Sequence, residues 1–323
     1  SATPLPLHGL RVLEVGQYKT APLTARHLAT LGAEVLKIEP PSGDVTREWP
    51  PCVDGLGIFF VMSNSGKKSF TVDLKSPQGR AMCEKLVRSS DVVVENLKPG
   101  SFARLGFSPS DLARINPRVI YCSISGFGNN TVYQGRPAFD TVVQAMSGVM
   151  HANAHEGTPL KAGISICDVM GGEVALFAIV AALHRRDGHE GGSGRGEAID
   201  LSMQDVGAWM TAPLWNNGGS EADTNTVVAC KDGFALVVAS AERAQRAAAA
   251  AYAPNKTRDQ LAATLAAQGI TCVPVLRVSE SAAHPLVAER KLIRDCAGFG
   301  GHDWPLLGSP MALSLTPPFV GDP

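Results

Sequence analysis

"LRVLEVGQYKTAPLTARHLATLGAEVLKIE", residues 10 to 39, decides the fold. It opens on a β-branched run that stops at a glycine, continues through a stretch with apolar residues at helical spacing, and closes on a second β-branched run. A strand, a helix and a strand in so few residues make a βαβ unit, whose two strands lie parallel.

The pattern repeats along the chain. "SFTVDL", "DVVVENL" and "RVIYCSISG" read as strands, "SPQGRAMCEKLVRS" and "SPSDLARIN" as the helices between them, and "GRGEAIDLSMQDVGAWM" as a further strand and helix. Ser76-Pro77 and Ser108-Pro109 each set a capping hydroxyl before a proline at the first helical position. The expected fold class is therefore α/β, with a Rossmann-like, mostly parallel sheet in a large domain over residues 1–215. A smaller α+β domain is expected over 216–283, with strands "TVVAC", "GFALVVAS" and "GITCVPVLR" around an alanine-rich helical region. The proline-rich stretch 284–323 reads as a strap returning to complete a large domain. An open parallel sheet takes its ligand outside the carboxyl ends of its strands. That directs attention to the loops "GQYKTAP" (16–22), "EPPSGDVTREW" (39–49), "ENLKPGSFARLGF" (95–107) and "SGFGNNTVYQGRPAFD" (125–140).

Composition removes several classes of function. A formal net charge of -1, spread without long runs, gives no footprint for nucleic acid or for an anionic membrane. The seven cysteines stand far apart with no C-x-x-C pair, and no histidines cluster at ligand spacing, so a reduced, cytoplasmic chain without structural metal is expected. The first residues lack the charged and apolar regions of a secretory signal. The most apolar run, Val174 to Leu183, is shorter than the roughly 20 residues a bilayer requires and reads as a core helix.

Familiar nucleotide and hydrolase motifs are missing too. Where G-x-G-x-x-G would stand the chain has "GQYKTA", although Glu39 lies at the distance of a ribose contact; neither a P-loop nor a G-x-S-x-G elbow is present. What remains near the strand ends is a set of cations and an amide: Lys19, Lys37, Lys67, Lys68, Lys75, Asn96, Lys98 and Arg104. Singly each is an ordinary surface residue. Grouped, they suit a ligand with several phosphates, such as coenzyme A. Asp168 opens a long apolar helix and reads either as its N-cap or as an ionised nucleophile held by the free N–H groups. Gly171 and Gly172 behind it would let a bulky ligand approach the backbone. Asp140, taken alone, reads as a helix cap.

These residues resemble the class III coenzyme A transferases, a group that includes formyl-CoA:oxalate and carnitine CoA-transferases and the related α-methylacyl-CoA racemases. The resemblance rests on "GLRVLEVGQYKTAP", "LGAEVLKIEPPSGDVTR", "SNSGKKSFTVDLKSPQG", "DVVVENLKPGSFARLGF", "NPRVIYCSISGFG", "RPAFDTVVQAMSG" and "GRGEAIDLSMQDV", and near the end on "HPLVAERKLI" and "LGSPMALSLTPP". It implies that Asp168 is the catalytic nucleophile, which carries CoA as an aspartyl thioester. It implies that Val72, Lys75, Asn96, Leu97, Arg104 and Leu105 line the CoA groove, and that Gln17, Tyr18, Lys19, Phe139 and Asp140 surround the reacting acyl group. The substrates would be an acyl-CoA and a small carboxylic acid, with no permanently bound cofactor. It further implies an interlocked homodimer, with a heteromer as the alternative for so short a chain. Phe139 stands where racemases carry a histidine, so racemisation lacks its second acid/base group. A catalytically silent CoA-binding subunit is the remaining alternative. Two departures stand out. "TAP" (Thr20, Ala21, Pro22) replaces the usual "AGP", and Lys19 replaces a neutral residue, which points to a dicarboxylic acyl group. The chain is also short after Trp215, where Gly218 and Gly219 are what remains of a shielding glycine loop.

Overall fold

The structure is a computed structural model. It describes residues 3–133, 135–136, 138–188, 191–215, 225–238, 249, 252–297 and 303–318. Of the alanine-rich region expected to be helical, residues 241–248, 250 and 251 lie outside these residues, as do Gly218 and Gly219.

In chain order the elements of the large unit are β1 (Arg11–Val15), α1 (Thr20–Thr30), β2 (Glu34–Glu39), a short hairpin of β3 (Cys52–Val53) and β4 (Leu56–Gly57), α2 (Ile58–Asn64), β5 (Lys68–Thr71), α3 (Pro77–Arg88) and β6 (Val92–Glu95). There follow α4 (Ser101–Arg104), α5 (Pro109–Ile115), β7 (Ile120–Ser125), α6 (Asp140–Met146), α7 (Val149–Ala152), α8 (Ile166–Asp187), β8 (Ala198–Ser202) and α9 (Met203–Thr211). Six strands form one sheet in the order β5-β2-β1-β6-β7-β8, and every pairing is parallel. Strand order therefore reverses between β1 and β6, which is the switch point of a doubly wound sheet.

Strand periodicity divides the core into two layers. Along β1, Val12 joins one cluster with Ala21, Ala25 and Leu28 of α1 and Ala175 and Ile179 of α8, while Leu13 and Val15 join the other with Phe102, Leu112 and Ile115. Val92 and Val94 against Val93 repeat the alternation on β6. A sheet covered on both faces explains why its strands read as nearly continuous apolar runs. The two serine caps form as the sequence predicts: Ser76 accepts the Gly79 N–H, and Ser108 makes a capping box with Asp111.

Helix α8 runs to 22 residues, longer than its most apolar run suggests. By length and composition alone it could cross a membrane. In this fold one side of it instead packs on α1 and on the sheet through Ala175, Leu176, Ile179, Ala182 and Leu183.

Two compact units result, one of residues 1–219 with 294–323 and one of residues 220–293. In the second, β9 (Asn225–Cys230), β10 (Gly233–Val238) and β11 (Thr271–Val275) form an antiparallel sheet in the order β11-β10-β9. Helix Arg258–Ala266 closes its core through Leu261 and Leu265 on Ala235 and Val237. In the returning tail β12 (Ile293–Ala297) pairs with β13 (Asp303–Leu307), and Leu306 is buried against Val61 of α2. Arg26 of α1 ties the tail down by donating to the Leu307 carbonyl and, at 3.0 Å, to Ser65 Oγ.

Candidate active site

At the switch point the chains leaving β1 and β6 are stitched together. The Gln17 N–H donates to Asn96 Oδ1 at 3.0 Å, and Asn96 Nδ2 donates to the Gln17 carbonyl at 2.8 Å. Tyr18 takes a left-handed backbone conformation, φ 68°, which turns the chain sharply into α1 two residues later. A non-glycine residue there is uncommon and marks a loop whose course is set by its surroundings.

The first turn of α8 meets this loop. Asp168 does not cap its own helix. That role falls to Asp140, whose Oδ1 accepts the N–H groups of Cys167 at 2.9 Å and Asp168 at 3.3 Å, while Gln144 Nε2 donates to its Oδ2 at 2.6 Å. Asp140 is thus a cap, as its residue type suggested, but for a helix other than its own. Freed from capping, the Asp168 side chain takes a hydrogen bond on Oδ1 from Thr20 Oγ1 at 2.8 Å, and no group among the described residues donates to its Oδ2.

The reading of Gly171 and Gly172 requires correction. A Cβ at Gly171 would meet Thr20 Cγ2 at 3.3 Å, and one at Gly172 would meet the Thr20 carbonyl at 3.3 Å. The glycines let α8 approach α1 closely, rather than making room for a ligand. Their effect on the site is indirect, because they bring Asp168 within reach of Thr20.

Asp168 lines a cavity of about 410 Å³ together with Lys19, Lys161, Phe139 and Asn96. Burial pushes its carboxyl above the usual range and Asp140 adds to the rise, while the Thr20 hydrogen bond and the charges of Lys19 and Lys161 oppose it. The sequence reading anticipated an anion stabilised by the helix terminus. Desolvation outweighs that effect here, and the group is poised nearer neutrality than an exposed aspartate. Aromatic rings wall one side: Tyr18 lies 5.7 Å from Trp49 and 6.0 Å from Phe139, and Trp49 lies 5.5 Å from Phe59. Lys19 Nζ sits 5.5 Å over the Phe59 ring, so its charge is held without an ion-pair partner among the described residues.

A neighbouring groove of about 150 Å³ runs past β1, β2 and β6. Val72, Lys75, Leu97 and Leu105 line it, and so does Gln17, which the resemblance had placed at the acyl group. Leu97 borders both spaces. Asn96 lies on the Asp168 side, and Arg104 lines neither, its Nη2 donating to Ser101 Oγ at 2.8 Å. Tyr18, Lys19, Phe139 and Asp140 do gather around Asp168.

Sequence reasoning missed Thr20, Phe59 and Lys161 as site residues, passed over Trp49 and Arg136 inside loops it had singled out, and named Lys98 only among the cations suited to a phosphate-bearing ligand. All six line the cavity. Lys161 is a cation seven positions before Asp168, a spacing with no meaning until the intervening turn is known.

A family model for CoA-transferase family III matches residues 7–251. The chain belongs to that family. Proteins similar to it include the succinate–glutarate CoA-transferase of Agrobacterium fabrum, 40% identical over 62% of this chain and 52% of the relative. Another is the acetyl-CoA:oxalate CoA-transferase of Acetobacter aceti, 41% identical over 62% of this chain and 51% of the relative. The chain spans about half the length of these curated relatives. Among solved structures, a CAIB/BAIF family protein from Brucella suis superposes with a TM-score of 0.86 at 29% identity, covering 98% of this chain and 95% of that one. The family likeness thus extends through both compact units in structure.

Proposed function

We propose that the protein moves CoA from an acyl-CoA donor to a small carboxylic acid, with Asp168 as the nucleophile. The observation that carries this reading is a half-buried carboxylate at the switch-point cavity, held by a hydrogen bond on Oδ1 and, among the described residues, left open on Oδ2. Its oxygen would attack the thioester carbonyl carbon and expel CoA thiolate, leaving a mixed anhydride. The thiolate then attacks Asp168 Cγ and releases the donor acid, and the acceptor carboxylate displaces CoA from the resulting aspartyl thioester. Thiolate attack on the acceptor's acyl carbon completes the transfer and restores Asp168. Val72, Lys75, Leu97 and Leu105 would hold CoA in the adjoining groove.

Lys19 and Lys161 favour an acid with a second carboxylate, since a cation at a cavity wall is best satisfied by an anion brought with the substrate. Relatives named for succinate, glutarate and oxalate agree with that choice. Asp168→Ala, assayed for transfer from succinyl-CoA to a panel of acids, is expected to lose at least a thousandfold of activity, about 4 kcal/mol, while CoA binding persists. Residual turnover within tenfold of wild type would remove Asp168 from the reaction.

The interlocked homodimer belongs to this proposal as well. Phe177 of α8 and Trp209 of α9 are 75% and 69% exposed, large apolar side chains of the kind that subunit contacts cover. Light scattering should give twice the chain mass, and a monomer at working concentration would refute the dimer.

A further inference from the structure

Thr20 is the residue on which the site's geometry says most beyond this reading. It is buried, and its Oγ1 lies 2.8 Å from Asp168 Oδ1 and 3.6 Å from Met203 Sδ. A hydroxyl has one proton to give, and a carboxylate is a far better acceptor than a thioether. The hydroxyl is also fixed in place. Its residue starts α1, its carbonyl accepts from Thr24 Oγ1 at 2.9 Å, and that same oxygen is 3.1 Å from the Gly172 carbonyl on α8. The close approach of α1 and α8 at Gly171 and Gly172 therefore holds the donor against the acceptor before any ligand arrives.

We propose that the Thr20 hydroxyl is a catalytic donor to the Asp168 carboxyl oxygen that remains on Cγ throughout the transfer. The proposal rests on Asp168 being the nucleophile. When CoA thiolate attacks the anhydride at Cγ, the sulfur–carbon bond forms, the π-bond pair moves onto Oδ1, and its return expels the donor acid with the bridging oxygen. When the acceptor carboxylate attacks the aspartyl thioester, an oxygen–carbon bond forms at the same Cγ, Oδ1 again takes the charge, and CoA thiolate leaves. In both steps Oδ1 passes from a neutral carbonyl to an oxyanion 2.8 Å from a preorganised donor. In the resting enzyme the same hydroxyl helps hold Asp168 ionised, together with Lys19 and Lys161 and against Asp140 and burial. The adjacent Cys167 thiol is itself pushed up to about 11 by burial and stays protonated.

Thr20→Val keeps the shape and removes the proton. Its kcat should fall about 10- to 100-fold with the KM for acyl-CoA changed less than threefold, and aspartyl-CoA protein should accumulate in intact-mass spectra. The acid limb of its pH–rate profile should move to higher pH, and Thr20→Ser should restore both. Isotope-edited infrared titration of the aspartate carboxylates, with Asp168→Asn as the subtraction, reads the same hydrogen bond without turnover. If Thr20→Val folds with kcat and acid limb unmoved, the proposal is overturned. Equal losses in Thr20→Val and Thr20→Ser overturn it too, since the hydroxyl would then be irrelevant. A wild-type protein that transfers no CoA, yet shows the infrared shift on Thr20→Val, overturns the transferase reading and with it the catalytic role, while leaving the hydrogen bond established.

Discussion

Two cavities of nearly equal volume, about 440 and about 410 Å³, lie in the large unit, and both are lined by lysines and carboxylates. In the first, the charges are consumed internally. Lys37 Nζ is 2.7 Å from Glu14 and 3.0 Å from Asp44, Lys67 Nζ is 2.6 Å from Glu14, and Glu39 is bound by Arg47, by Ser69 Oγ at 2.6 Å and by the Asp44 N–H at 2.8 Å. Burial works against ionisation of Glu39, but those hydrogen bonds outweigh it and hold the carboxyl at about 2. In the second, Asp168 has one donor among the described residues, burial wins, and its carboxyl is raised. Lys19 and Lys161 stand in no ion pair among the described residues. The same residue types thus make a structural joint where partners are complete, and a cavity with charges left for a ligand where they are incomplete.

Lys37 carries the largest expected effect. Removing one member of a buried, paired cluster leaves uncompensated charge, so Lys37→Met should cost about 3–5 kcal/mol in a urea titration. A loss under about 1 kcal/mol would mean that the cluster is no structural joint.

Acid sharpens the contrast next, because the two carboxylates respond oppositely. Glu39 is depressed in the fold, so its contribution, on the order of 3 kcal/mol, is present above its unfolded value near 4.5 and is lost as pH falls towards about 2. Asp168 is raised, so its ionisation costs stability as pH rises through its folded value. Urea midpoints across pH should show Glu39→Gln destabilised at neutral pH and converging on wild type in acid, whereas Asp168→Asn should be the more stable protein at neutral pH. Parallel curves for the two variants would contradict the contrast.

The smallest effect belongs to Lys19. Lys19→Met should change stability by less than about 0.5 kcal/mol. It should selectively slow succinyl-CoA by ten- to a hundredfold relative to butyryl-CoA, roughly 1.4–2.7 kcal/mol of transition-state stabilisation. Equal losses on both substrates would assign Lys19 to the loop or to CoA and withdraw the dicarboxylate preference.

The parallel sheet was legible because a buried strand announces itself in its own residues. Val92-Val93-Val94 is apolar on both faces, and a serine followed by proline at a helix start carries its cap in two adjacent letters. α2 was not foreseen, being a seven-residue helix set by what it rests on more than by its own spacing. Within the site, Asp168, Tyr18, Lys19, Phe139 and Asp140 were all named from the chain and are all found at the cavity. Arg104, expected in the CoA groove, lines neither space, and its Nη2 donates to Ser101 on the same short helix.

The βαβ order, the strands and their caps, and the loops that supply most of the site's lining were legible in the sequence, since each depends on residues near one another in the chain. Only the tertiary structure decided which acid caps α8 and which is left open. Asp140 and Asp168 are both aspartates beside helix starts, and nothing local separates them. The difference comes from Thr20, brought to Asp168 across 148 positions by two glycines that let α1 and α8 touch. The electrostatic state of a buried carboxylate depends on which donors reach it, and that is settled only once the helices have packed.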